Sequence, residues 1–249
     1  MGSTFSTEAI VLFSTDVGEE DRILSFLTRD RGLVRAAASA AGNIRKGKSA
    51  PLDLFVRTSL HLYASRKEGK LKRIRTADVI EPFLAIRSDY RTLCAASYMS
   101  QTTAHCVQED DPSPGTYELL LACLRGLEEG TDLFRVLLLF EVRLLGELGL
   151  MPELGSCLSC LGEIEKDAVL DSRWGGVIHR QCRGVEGGSY LAAGDLATLR
   201  FLSTRDLNHT AKLTVRHGDA KRIFGLVHGF AVHHLGYESK AIKMLKNEK

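Results

Sequence analysis

Four metal-type ligands in the second half constrain this chain more than any other feature. Cys157 and Cys160 form C-x2-C, His179 and Cys182 form H-x2-C, and eighteen residues separate the two pairs. Two short knuckles joined by a loop of that length can gather three thiolates and an imidazole around one tetrahedral ion. All four positions are then protein ligands. No coordination site stays open for water or substrate, which is the pattern of a structural zinc site. A redox pair is the competing reading of C-x2-C. Redox pairs usually open a helix after a strand, whereas this one follows Met151-Pro152-Glu153-Leu154-Gly155 and precedes Leu161-Gly162, a turn-like setting. Cys94, Cys106 and Cys123 lie in apolar, helical surroundings and read as core thiols.

The 249 residues can bury a good core and hold two domains. No N-terminal stretch has the basic-then-apolar pattern of an export signal. The longest apolar run, 133–148, is interrupted by Arg135, Glu141, Arg143 and Glu147 and does not read as membrane-spanning. A cytoplasmic location follows as the expectation, where clustered cysteines favour metal over disulfide. Net charge is only +2, but residues 1–80 carry +5, residues 81–199 carry −9 and residues 200–249 carry +6. Basic ends around an acidic middle suggest a polyanion partner for the ends and protein contacts for the middle.

The first 80 residues read as β-structure. Strands are expected over 8–13 and 33–38, with a helical or turn-like segment over 21–29 and a loop over 40–51. Leu54, Val56, Thr58, Leu60 and Leu62 then alternate with Phe55, Arg57, Ser59, His61 and Tyr63, a period of two over ten residues. The first set should pack inward and the second should meet solvent or a ligand. Glu68-Gly69 can turn the chain into a further strand over 70–80. Several short twisted strands with one basic, aromatic face fit a small closed barrel of the OB type.

After Pro82 the period changes to about 3.6. Ile86, Tyr90, Leu93, Cys94 and Tyr98 share a helical face. Further helices are expected over 117–127, 133–148, 194–203 and 219–235, the one at 133–148 central because it is apolar almost all round. Thr131 or Asp132 can cap its start and Gly149 its end. The fold class is therefore α+β: an N-terminal OB-fold β-barrel over 1–80, then an α-helical domain over 81–249 carrying a small zinc-ribbon-like insertion at about 155–190.

Ten cations crowd one stretch: Arg45, Lys46, Lys48, Arg57, Arg66, Lys67, Lys70, Lys72, Arg73 and Arg75. Only Asp53 and Glu68 oppose them, leaving +8. Cations neutralise phosphates and release counterions. Interleaved Phe55 and Tyr63 offer sequence-tolerant stacking, although ordinary packing explains each ring alone. Catalytic signatures are missing. The sequence has no G-x-x-x-x-G-K-[ST], no H-E-x-x-H and no deaminase pair of H-x-E with P-C-x-x-C. His228, His233 and His234 are spaced poorly for a second metal and read as surface or phosphate-facing.

Several segments in order resemble bacterial RecO proteins: E-A-I-V-L at 8–12, G-E-E-D-R at 18–22 and F-L-T-R-D-R-G-L-V at 26–34. They continue with F-E-V-R-L-L-G-E-L-G-L-M-P-E-L at 140–154, G-G-V-I-H-R-Q-C at 175–182 and H-H-L-G-Y-E-S-K-A at 233–241. The resemblance spans nearly the whole chain. It implies a non-enzymatic DNA repair and recombination mediator that binds single- and double-stranded DNA and anneals complementary strands. It also implies work with RecR and with the C-terminal tail of single-strand DNA-binding protein, to load RecA on coated strands, in the cytoplasm and on the nucleoid during repair. Many zinc-bearing members use four cysteines, and His179 takes the third ligand position here. For the acidic tail, cations beside an apolar pocket are needed. Arg125, Arg135 and Arg143 could supply them, or Lys212, Arg216, Lys221 and Arg222. The alternative class is a zinc-dependent enzyme acting on nucleic acid or nucleotides.

Overall fold

A computed structural model describes residues 2–17, 21–38, 52–65, 71–182, 188–204, 207 and 214–247. The loop expected over 40–51 and the turn at Glu68-Gly69 lie outside them. The chain divides into two compact units, Met1–Glu129 with Ser239–Lys249, and Gly130–Glu238.

The first unit opens with β1 (Ser3–Val17), β2 (Asp21–Thr28), β3 (Gly32–Ala38), β4 (Arg57–Ala64) and β5 (Lys72–Glu81). They close into a barrel in the order β1-β2-β3-β5-β4. Closure depends on the length of β1. Its first part pairs with β4 from Ser3 to Ile10, and its second part pairs with β2 from Ala9 to Val17. A register shift between Val11 and Phe13 lets one strand bend between two partners. Val11, Leu24, Phe26, Val34, Ala36, Val56, Leu60 and Leu62 fill the interior. Each large side chain buried there contributes about 1.5–3 kcal/mol. The N-terminal OB-fold of the expected α+β architecture is present.

Three expectations change here. Leu54, expected to pack inward, lies before β4 begins and is exposed. Of the segment 21–29, expected to be helical or turn-like, residues 21–28 form strand β2 and only Arg29 lies in a turn: pairing with β1 and β3 on both sides fixes an extended chain, with Leu24, Phe26 and Leu27 all buried. Phe55 is not on the outer face. It precedes β4 with φ 68, donates its N–H to the Val11 carbonyl at 2.8 Å and is 1% exposed. Thr58, Leu60 and Leu62 keep the inward alternation. Between β2 and β3, Gly32 has φ +60, and a Cβ there would lie 1.9 Å from the Asp111 carbonyl oxygen, so the turn admits only glycine.

Helices α1 (Leu84–Ser88), α2 (Tyr90–Cys106) and α3 (Pro114–Glu128) follow the barrel. The face traced through Ile86 and Tyr90 is broken at Asp89, which caps α2 by accepting the Thr92 N–H at 2.8 Å. Glu8 of β1, Arg57 of β4, Glu81 of β5 and Arg125 of α3 form one ionic lattice: Arg57 reaches Glu8 at 2.6 Å and also Glu81, and Arg125 holds Glu81 at 2.5 and 2.8 Å. The last helix, α7 (Lys240–Asn247), returns to α2, burying Ala241, Ile242 and Leu245. Ser239 starts it, accepting the Ala241 N–H and donating to Gln101 Oε1 at 2.6 Å.

In the second unit α4 (Leu133–Glu147) packs on α6 (His217–Leu235). Asp132 caps α4 through the Arg135 N–H, and Gly149 leaves it with φ +69. Between them come β6 (Ala168–Asp171), β7 (Gly176–Ile178), β8 (Ser189–Leu191) and α5 (Ala193–Thr204), with the sheet ordered β7-β6-β8. His228 is buried rather than phosphate-facing: its Nδ1 lies 2.5 Å from Glu141 on α4. Asp195 accepts the Ala192 N–H at the start of α5 and takes both Arg222 nitrogens at 2.6 Å.

Candidate metal centre and nucleic-acid interface

Backbone hydrogen bonds build the first knuckle. Glu153 Oε1 accepts the N–H groups of Gly155 and Ser156, turning the chain after Pro152. Cys157 donates to the Gly162 carbonyl, and Leu161, with φ 62, donates back to the Cys157 carbonyl, both at 2.8 Å. Leu158 N–H joins the knuckle to Val177 of β7, which carries the chain to His179. A short 3-10 turn, Arg180–Cys182, returns Cys182 toward it, with Cys182 N–H on the His179 carbonyl at 3.0 Å.

The ligand atoms of Cys157, Cys160, His179 and Cys182 all lie within 4.8 Å of one another. Zinc with sulfur at about 2.3 Å and nitrogen at about 2.0 Å needs edges of roughly 3.5–3.8 Å, so the set fits a metal ion after small adjustment. His179 Nε2 is 3.0 Å from the Glu163 carbonyl oxygen, while Nδ1 is 3.3 Å from Cys160 Sγ and 3.9 Å from Cys182 Sγ. A carbonyl accepts only a proton-bearing nitrogen, so Nδ1 is left to ligate. Burial pushes the Cys157 thiol up, but N–H groups of Cys160, His179 and Ser159 outweigh it and bring the pKa down to about 6. The bond to Cys160, then burial, pushes Cys182 up to about 11, and the Cys160 sulfur together with the Glu163 carbonyl raises His179. Arg200 of α5 clamps both sides of the knuckle, donating to the carbonyls of Leu154 at 2.6 Å and Ile164 at 2.7 Å. Burial raises Cys106 to about 11 and Cys123 further, as befits inert core thiols.

Of the ten cations, Arg45, Lys46, Lys48, Arg66, Lys67 and Lys70 lie outside the described residues. The other four divide. Arg57 does not face solvent with the rest: its side chain is 15% exposed and held by Glu8 and Glu81, which keep its pKa above the ordinary value despite burial. Lys72 places Nζ 2.8 Å from both oxygens of Asp110. Arg73 and Arg75 are exposed, and the Arg75 guanidinium lies over the half-buried Tyr63 ring at 5.1 Å. Several cations considered for an acidic tail are also committed: Arg125 to Glu81, Arg143 to the Leu202 and Ser203 carbonyls, Arg222 to Asp195. Lys221 instead sits over the Phe134 ring at 5.3 Å, and Arg216 is exposed at the start of α6. Sequence reasoning missed Arg200 and the Glu8–Arg57–Glu81–Arg125 lattice. No local motif signals either, because every partner is distant in sequence.

Residues 1–83 match the family described as Recombination protein O N terminal, and residues 87–241 match Recombination protein O C terminal. The DNA repair protein RecO of Myxococcus xanthus is 30% identical over 241 residues, covering 97% of this chain and 96% of that protein. That of Desulforudis audaxviator is 30% identical over 243 residues, with the same coverage. That of Anaeromyxobacter sp. strain K is 30% identical over 238 residues, 95% of this chain and 93% of that one. Among the described residues no helix is long and apolar enough to cross a membrane.

Proposed function

This chain belongs to the RecO family of DNA repair and recombination proteins, and from that premise we propose that it is a recombination mediator that works by binding and not by covalent chemistry. The barrel domain, 1–80, grips single- and double-stranded DNA through its cationic side. The domain 81–249 carries the zinc module at about 155–190 and the protein contacts. One observation supports this most directly: Arg73 and Arg75 stand exposed on β5 beside Tyr63, in the same basic stretch of sequence as Arg45, Lys46, Lys48, Arg66, Lys67 and Lys70. A protein that neutralises two strands at once lets them approach and pair, which is annealing. On the same reading it acts with RecR to load RecA on strands coated by single-strand DNA-binding protein, in the cytoplasm and on the nucleoid during repair.

Cys157, Cys160, His179 and Cys182 would hold zinc. When bound, the ion supplies a structural crosslink between the two knuckles. The acidic, Phe-ended tail of the coating protein would meet Lys221, which lies over the apolar Phe134 ring, and the exposed Arg216 at the start of α6. An annealing assay with complementary oligonucleotides precoated with single-strand DNA-binding protein tests the whole reading. Pairing should be faster with the protein than without it, and equal rates would reject the mediator role.

A further inference from the structure

A cavity of about 490 Å³ opens on the barrel, lined by Ala37, Tyr63, Ser65, Leu71 and Arg73. Its size lies within the usual range for small-ligand sites, about 300–1,000 Å³. Strand register explains its shape. Arg73 of β5 pairs with Ala37 of β3 on one side and with Tyr63 of β4 on the other, so the three form one cross-strand row on one face of the sheet. Among the described residues the β3–β5 seam is paired at Ala36–Lys72 and Ala37–Arg73. The row thus places a methyl, a guanidinium and an aromatic ring side by side, with Leu71 and Ser65 at its margin. Among the described residues that line it, none is acidic. Arg75, two residues along β5 from Arg73, places its own guanidinium over the Tyr63 ring.

We propose that this cavity receives one unpaired nucleobase of a DNA strand, packed against Tyr63 and Leu71 with its flanking phosphates on Arg73 and Arg75. The proposal rests on the reading of the barrel as a DNA-binding surface and adds a strand-selective subsite to it. An aromatic and aliphatic wall accepts any base by its face. Cations at the rim meet the backbone that enters and leaves. A base paired in a duplex reaches such a pocket only by leaving its stack, which costs free energy that a single strand does not spend. The cavity therefore favours single strands, while the exposed cations hold either form. At Ala37, the end of the row, a larger side chain would project into the space that the methyl leaves open.

The test uses the full chain and three probes: oligothymidylate, an abasic oligomer of the same length and charge, and a duplex. Affinities are measured by anisotropy at one ionic strength for the wild type, Ala37→Phe and Tyr63→Leu, and the duplex titration is repeated across a salt series. The wild type should bind oligothymidylate about 5- to 150-fold more tightly than the abasic oligomer, the range that one stacked base gives. Both variants should lose that preference and keep their duplex affinity and salt dependence. Retained duplex binding also reports an intact barrel, and should Ala37→Phe fail to fold, Tyr63→Leu decides alone. Equal wild-type affinity for the two single-stranded probes, or an unchanged preference in the variants, overturns the proposal. Failure of the underlying reading looks different, since the wild type would then hold none of the three probes at low salt.

Discussion

His179 turns Nε2 to the carbonyl oxygen of Glu163 at 3.0 Å and thereby presents Nδ1 to the sulfurs of Cys160 and Cys182. That one interaction selects the tautomer a metal requires. The purified chain should accordingly carry one zinc per molecule by elemental analysis. A chelator should lower its melting temperature by about 10 °C, corresponding to roughly 3–4 kcal/mol for a chain of this size. Cys157→Ser and His179→Ala should melt near the chelated value and respond little to chelator, whereas His179→Cys should retain metal. Melting curves that are the same for all, with and without chelator, would remove the structural role.

Arg200 should matter to the same module although it ligates nothing. It is the link from α5 to the carbonyls of Leu154 and Ile164, on the two sides of the knuckle. Hydrogen bonds from a charged group to carbonyls contribute about 1.5–3 kcal/mol. Arg200→Ala should cost about 2–3 kcal/mol in urea unfolding and speed the release of zinc to a chromophoric chelator, with Arg200→Lys intermediate. Unchanged release in Arg200→Ala would mean that the knuckle stands without this clamp.

Acid stability should report on Glu81. Bonding to Arg125, opposed by burial and reinforced by Arg57, holds its carboxyl below the ordinary glutamate value. A depressed folded-state pKa means that the unfolded chain takes up the proton first as pH falls. The stabilisation is therefore fully present above the unfolded value, about 4.3, and is lost as pH drops through the folded one. Glu81→Gln should be less stable than wild type at neutral pH and show a shallower decline below about pH 4.5. Parallel stability curves for the two proteins would show that Glu81 does not titrate differently on folding.

The sequence makes some of this architecture plain and hides the rest for physical reasons. The ligands Cys157, Cys160, His179 and Cys182 can be read because metal spacing is local within each pair, and the structure brings their ligand atoms together. Thr58, Leu60 and Leu62 can be read because one face of β4 is buried. Strand β2 defeats the periodicity: Leu24, Phe26 and Leu27 are all buried, so the alternation vanishes and a helical spacing appears in its place. Phe55 departs because a turn with positive φ, tied to Val11, rotates it into the core just before β4 begins. His228 takes its partner Glu141 from 87 residues away, and Ser239 takes Gln101 from 138. Only tertiary packing creates such pairs. The same holds for Arg57, whose place in a cationic run conceals two carboxylates brought to it by β1 and β5.

Arg57 and Arg73 therefore make a sharp contrast within one charged stretch. Arg73 is exposed with Arg75, so reversing both, together with Lys46 and Lys48, removes charge available to phosphates. DNA affinity should fall, and the slope of log K against log salt should flatten by about 0.7 for each single-strand phosphate that is no longer neutralised. The barrel should melt as before, because surface changes of this kind usually stay within about 0.5 kcal/mol each. Arg57→Glu should behave in the opposite way. Three carboxylates, Glu8, Glu81 and the new one, would face each other in a partly buried site, opposed by Arg125 at Glu81 and more weakly by the exposed Arg29, 3.9 Å from Glu8. Stability should drop by about 3–5 kcal/mol, with no separate effect on the salt slope of whatever fraction remains folded. Salt titrations of binding alongside thermal melts separate the two. If Arg57→Glu flattened the salt slope while leaving the melt unchanged, the ionic lattice would not be what occupies that side chain.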